Sequence, residues 1–118
     1  MRLLRARLKE VIARERPDVI HAHSPCLNGL AALHLGIPLV YELRSSWEDA
    51  AVSSGTTTEG SLRYRATRWL ETQVLLRANA VTTICEGLGE DIISRGVSPQ
   101  RIVVIPNAVD TKRFAPRQ

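Results

Sequence analysis

The chain has 118 residues, a formal net charge of +4 and 44% hydrophobic residues. That is room for one domain with a real core, but small for a complete two-substrate enzyme. No apolar run approaches the roughly 20 residues that span a bilayer, and the charged N-terminus lacks the apolar stretch of a secretory signal. Aromatic residues are only 4% of the chain and do not interleave with the arginines, which argues against a nucleic-acid stacking platform.

The elements alternate along the chain. Residues 2–15 predict a helix with Leu4, Leu8, Val11 and Ile12 on one face and arginines on the other. Residues 18–23 read as a short strand and 27–35 as an Ala/Leu-rich helix stopped by Gly36 and Pro38. Residues 38–43 are a second strand, and 44–60 read as a long polar connection in which Glu48 and Asp49 are either functional carboxylates or a helix start. Residues 61–78 predict the longest helix, with Ser61 as cap and Leu62, Ala66, Leu70 and Val74 spaced four apart. A third strand over 80–84, a helix over 86–95 ended by Gly96, and a fourth strand over 101–105 complete the pattern. Strands separated by helices predict an α/β, Rossmann-like three-layer sandwich around a parallel sheet of about four strands.

In such a sheet the C-terminal strand ends share one rim, where ligands bind. The first strand brings His21, His23 and Ser24 there. The second brings Glu42 and Arg44, with Trp47 just beyond. The third brings Glu86, and the fourth brings Asn107. His21 and His23 lie two apart, so they share a face. They are a satisfied structural pair, a polar substrate edge, or two ligands of a metal site completed by Glu42, Glu48 or Asp49. Glu42 and Arg44 are an internal ion pair or a ligand-facing pair, with the guanidinium suited to a phosphate or carboxylate. Trp47 is a plug over the sheet edge or a stacking surface. "GLGEDI" at Gly87–Ile92 imitates half of a dinucleotide fingerprint but lacks its third glycine. Cys26 and Cys85 have no metal spacing and read as reduced thiols of a cytosolic protein.

"RPDVIHAHSP", "GIPLVYELRSSWED", "ANAVTTICEGL" and "RIVVIPNAVDTKRF" follow one another over nearly the whole chain. Together they resemble the amino-terminal half of retaining glycosyltransferases of family 4, which have the GT-B fold. "YELRSSWEDA" and "GTTTEGSLRYR" further resemble the exosortase-associated, exopolysaccharide subgroup. The resemblance implies a partial amino-terminal Rossmann-like domain over residues 1–110 and the start of an interdomain linker over 111–118. A first strand with its glycine-rich loop would precede Met1, and a donor domain would follow Phe114. The absent first strand would leave one sheet edge open to pairing between chains.

The implied parent enzyme moves a sugar from a nucleotide-sugar to a glycan or lipid-linked acceptor, with retention and with no cofactor or metal. This domain would form the acceptor side and the missing carboxy-terminal domain the donor side, so no catalytic residue is assigned here. His21, His23 and Ser24 would line the acceptor side, and Glu42, Arg44 and Trp47 would shape the loop facing the transferred sugar. Glu86 would begin the helix at the cleft, and Asn107 and Asp110 would fix the turn into the linker. Two positions depart from the family pattern: Arg44 stands where many members have histidine, and Ala108 replaces a glycine that tolerates φ > 0. The expected location is cytoplasmic, with the arginine-rich helices offering peripheral contact to the inner membrane face and no nucleic-acid partner. Two other functional classes compete: a non-catalytic α/β module that binds membrane or a partner, and a metal-dependent hydrolase using His21 and His23.

Overall fold

The computed structural model describes residues 1–56, 58–110 and 113–114; the side chain of Trp47 lies outside the described set. The order is α1 (Arg2–Glu15), β1 (Ile20–His23), α2 (Cys26–Ala32), β2 (Leu39–Leu43), α3 (Trp47–Ser53), α4 (Leu62–Arg77), β3 (Ala80–Thr83), α5 (Glu86–Ser94), a 3₁₀ turn (Pro99–Arg101) and β4 (Ile102–Val104). The strands form one parallel sheet in the order β1-β2-β3-β4.

Register decides which residues meet. Ala22 lies opposite Tyr41, Tyr41 opposite Val81, and Val81 opposite Ile102. These side chains share one face, and the helices pack on it. Gly29 of α2 sits against the ring of Tyr41, and Gly89 of α5 sits against Thr83 and Val104. Glu71 of α4 accepts a hydrogen bond from Tyr41 Oη. Leu43, Val74, Leu75, Val81 and Ile92 are fully buried there. Each such side chain contributes about 1.5–3 kcal/mol of apolar burial. The alternate row, His23–Glu42–Thr82–Val103, runs across the other face. No described helix covers that face, and Val103 remains 52% exposed.

Several expectations need correction. The 44–60 connection is not a continuous loop: α3 lies inside it, capped by Ser46 Oγ, which accepts from the Asp49 amide at 3.4 Å. The carboxylates of Glu48 and Asp49 occupy its first turn, where the helix dipole favours them. The four-residue spacing on α4 finds the core only at Leu70 and Val74. Steps of four gain about 40° per step on a 3.6-residue helix, so Leu62 and Ala66 drift out to solvent. The face that packs is Glu71, Val74 and Leu75.

The expected third layer is not seen among the described residues, since their helices cover one face of the sheet only, and α2 stops at Ala32, before the expected 35. Other local signals hold. Ser61 Oγ caps α4, accepting from the Tyr64 amide at 3.2 Å, and Gly96 follows α5 at φ 98°. Arg101 donates to the carbonyls of Leu75, Leu76 and Ala78, and so satisfies the C-terminal end of α4. Ala108 does not take a positive φ; the described non-glycine residues that do are Arg16 and His34. On α1 the apolar stripe is only partly covered, with Leu8 packed against the core and Leu4 44% exposed. The outer edge of β1 has no strand partner among the described residues. It borders a groove of about 290 Å³ lined by Leu4, Leu8, Ile20, Ala22 and Ala31. Most of the expected linker, 111–118, lies outside the described residues.

Candidate functional site

The β1 and β2 ends build the site from their strand geometry. His21 and His23 project from the same side of β1, with rings stacked at 4.7 Å between centroids and 20° between planes. Glu42 is the register partner of His23 on β2. Its Oε2 lies 3.0 Å from His21 Nε2 and 3.3 Å from His23 Nδ1. Its Oε1 lies 3.3 Å from Arg44 Nε. One carboxylate therefore gathers three nitrogen-bearing side chains. Glu42 is mostly shielded, while both rings and Arg44 are about half exposed and remain open to solvent.

Arg44 extends the cluster. Its guanidinium donates to Asn107 Oδ1 at 3.1 Å, reaching past β3 to the segment after β4. Ser24 joins from the β1 end: its amide donates to the Glu42 carbonyl at 2.9 Å, and its Oγ accepts from the Arg44 amide at 3.4 Å. Six of the eight predicted site residues are thus linked: His21, His23, Ser24, Glu42, Arg44 and Asn107. Glu86 is exposed at the first position of α5, and no hydrogen bond or ion pair joins it to the cluster. Trp47 begins α3, and its side chain lies outside the described residues.

A buried charged network beneath the rim was not anticipated. Glu48, fully buried, accepts from Arg95 Nη2 at 2.7 Å and lies 3.5 Å from Arg68 Nη1. Asp91 pairs with Arg95 at 2.6 Å and Arg68 at 3.1 Å. Burial opposes ionisation of Asp91, but Arg95 and Arg68 outweigh it and hold that carboxyl below its usual range. The network ties α3 to α4 and α5, so it fixes the helix that directly follows Arg44–Ser46. Beside it, burial pushes the Glu71 carboxyl up, against the opposing hydrogen bond from Tyr41. A cleft of about 280 Å³ opens between α2, α3 and α4, lined among others by Pro25, Cys26, Leu27, Glu48, Tyr64 and Leu70. The sequence did carry one signal for these residues: Glu71 stands three and four residues from Val74 and Leu75, on an apolar helix face where a charge demands a partner.

Chemically, the rim can hold an anion at Arg44, hydrogen-bond hydroxyl groups through the two imidazoles, or accept a metal ion at His21, His23 and Glu42. No described helix is long and apolar enough to cross a membrane.

Alpha-maltose-1-phosphate synthase of Mycolicibacterium smegmatis is 25% identical over 126 aligned positions, covering 98% of this chain and 30% of the relative. The chain thus spans about a third of the length of that curated protein. A model of Glycosyltransferase Family 4 matches residues 1–113. With the parallel sheet and the polar rim it carries, this match identifies the chain as a member of glycosyltransferase family 4.

Proposed function

We propose that this chain is the acceptor-side domain of an enzyme that moves a sugar from a nucleotide-sugar to a glycan or lipid-linked acceptor, with retention of configuration. The observation that carries this reading is the Arg44 bridge. It joins Glu42 to Asn107, 65 positions further along the chain, across the rim of a family 4 domain. In this reading Arg44, whose side chain stays half exposed, supplies a fixed cation for a phosphate or carboxylate on the acceptor. The name of the Mycolicibacterium smegmatis relative describes the synthesis of a sugar phosphate, which fits such an acceptor. His21 and His23 orient acceptor hydroxyls while Glu42 holds their rings in place. Trp47 and Glu86 flank the rim, and Ser24 fixes the backbone where β1 meets β2. The nucleotide-sugar and its phosphate clamp belong to a second domain, so this chain alone lacks much of the transition-state stabilisation that transfer requires.

A lipid-linked acceptor also accounts for the outer face of α4. Leu62, Trp69 and Leu76 are exposed at seven-residue intervals, a stripe that drifts only about 20° per interval. Arg63, Arg65 and Arg77 flank it, also exposed. An indole beside arginines suits the headgroup layer of an anionic membrane. Arg68, by contrast, is engaged with Asp91 and faces away from such a contact.

Calorimetry on the purified chain tests the division of labour. A phosphorylated sugar or a short glucan is expected to bind, with R44A weakening the phosphorylated ligand about tenfold through the lost charge-assisted bond. UDP-glucose and ADP-glucose are expected to give no saturable heat beyond that of their free nucleotides. Micromolar binding of an intact nucleotide-sugar that depends on its sugar would place the donor site here and overturn the reading.

A further inference from the structure

We infer that His21, His23 and Glu42 form a binding site for a borderline divalent transition ion such as Zn²⁺. Three carboxylates compete in the sequence to complete the His-x-His pair, and the structure selects one. Glu48 is buried against Arg95, and Asp49 accepts from Tyr64 Oη at 2.9 Å. Glu42 stands beside both rings, and the three donor atoms all lie within 4.8 Å of one another.

The spacing suits one ion. Bonds of about 2.0–2.1 Å in tetrahedral array put donor atoms about 3.3 Å apart. Two of the three donor separations already stand at 3.0 and 3.3 Å. The two imidazole nitrogens lie within 4.8 Å of each other, and the stacked rings must turn toward a shared ion for both to bind it. Strand pairing imposes this arrangement: alternate residues of β1 put both rings on one side, and the parallel register puts Glu42 opposite His23. Arg44 Nε engages Oε1 and so orients the carboxylate with Oε2 toward the rings. Two imidazoles and one carboxylate suit Zn²⁺ or Co²⁺, whereas Mg²⁺ and Ca²⁺ take oxygen donors. Both rings are about half exposed, which leaves a remaining coordination position open to water or to a ligand oxygen. The proposal stands on this geometry and does not depend on the sugar-transfer reading.

The test uses the untagged chain. Titration with ZnCl₂ by calorimetry and with CoCl₂ by visible absorption is expected to show one ion per chain, and Co²⁺ is expected to develop the intense d–d bands of a low-coordinate N/O site. H21A, H23A and the near-isosteric E42Q are each expected to weaken binding roughly tenfold or more and to remove the bands. C85S removes the exposed thiol and is expected to leave both readings unchanged. Far-UV circular dichroism confirms folding, and E42Q guards against loss of structure in the histidine variants. Absence of saturable one-to-one binding would overturn the site. So would binding that survives H21A and E42Q, or that disappears with C85S.

Discussion

Arg95→Met is the sharpest perturbation of the frame beneath the rim. Arg95 makes two bonds to Asp91, at 2.8 and 2.6 Å, and one to Glu48 at 2.7 Å. Its loss leaves Glu48, whose side chain is 0% exposed, with only the 3.5 Å contact to Arg68. The second oxygen of Glu48 already lacks a partner. A buried carboxylate so stranded costs about 3–5 kcal/mol. Asp91 loses less, because it keeps Arg68 and some access to water. The expected penalty is therefore about 3–5 kcal/mol, against about 5–15 kcal/mol for a typical domain. The double variant E48M/R95M removes the stranded charge and fills similar volume, so it is expected to be more stable than R95M alone. Urea unfolding followed by circular dichroism measures both. An R95M chain within about 1 kcal/mol of wild type, or a double variant no more stable than R95M, would show that Glu48 is not stranded by the loss of Arg95.

Glu71 gives a pH signature. Burial raises its carboxyl pKa in the folded state, so the native chain keeps this proton to higher pH than the unfolded chain does. The contribution is fully present below the unfolded value of about 4.5 and is lost as pH rises through the folded value. E71Q is expected to gain stability relative to wild type as pH rises from there to neutrality; a difference that stays flat or shrinks contradicts the assignment. Gly29→Ala places a methyl group into Val74 Cγ1 and 3.0 Å from the Tyr41 ring. Overpacking of about 1–3 kcal/mol should exceed the helix propensity gained, and a stabilised G29A would show that α2 can shift freely. Ser46→Ala removes the α3 cap and is expected to cost about 1 kcal/mol, with increased amide exchange over residues 47–53; exchange unchanged there would detach the cap from the order of α3.

The strands and the long helices were legible because each carries its own local period and punctuation. Gly96 ends α5, Ser61 begins α4, and β-branched runs mark β3 and β4. Parallel topology followed from the alternation, and the rim followed from the topology, which is why six predicted residues prove to be linked. α3 was obscured by its setting among Ser, Thr and Gly, although Ser46 three residues before Asp49 is a helix-start signal. The buried charges were not legible as pairs. Glu48 meets Arg95 across 47 positions, and Tyr41 meets Glu71 across 30, distances over which periodicity says nothing. Glu86 shows the opposite failure: a correct strand end does not ensure that the next side chain turns toward its neighbours.

The proposed acceptor face is the rim of the sheet at His23, Arg44 and Asn107. The most direct measurement is a ¹H–¹⁵N NMR titration of the chain with a phosphorylated sugar. Saturable shifts are expected at residues 21–24, 42–46, 105, 107 and 108, with the Arg44 side-chain Nε–H among the most affected. Saturable shifts confined to the N-terminal ends of the strands or to the outer face of α4, with the rim silent, would contradict that placement.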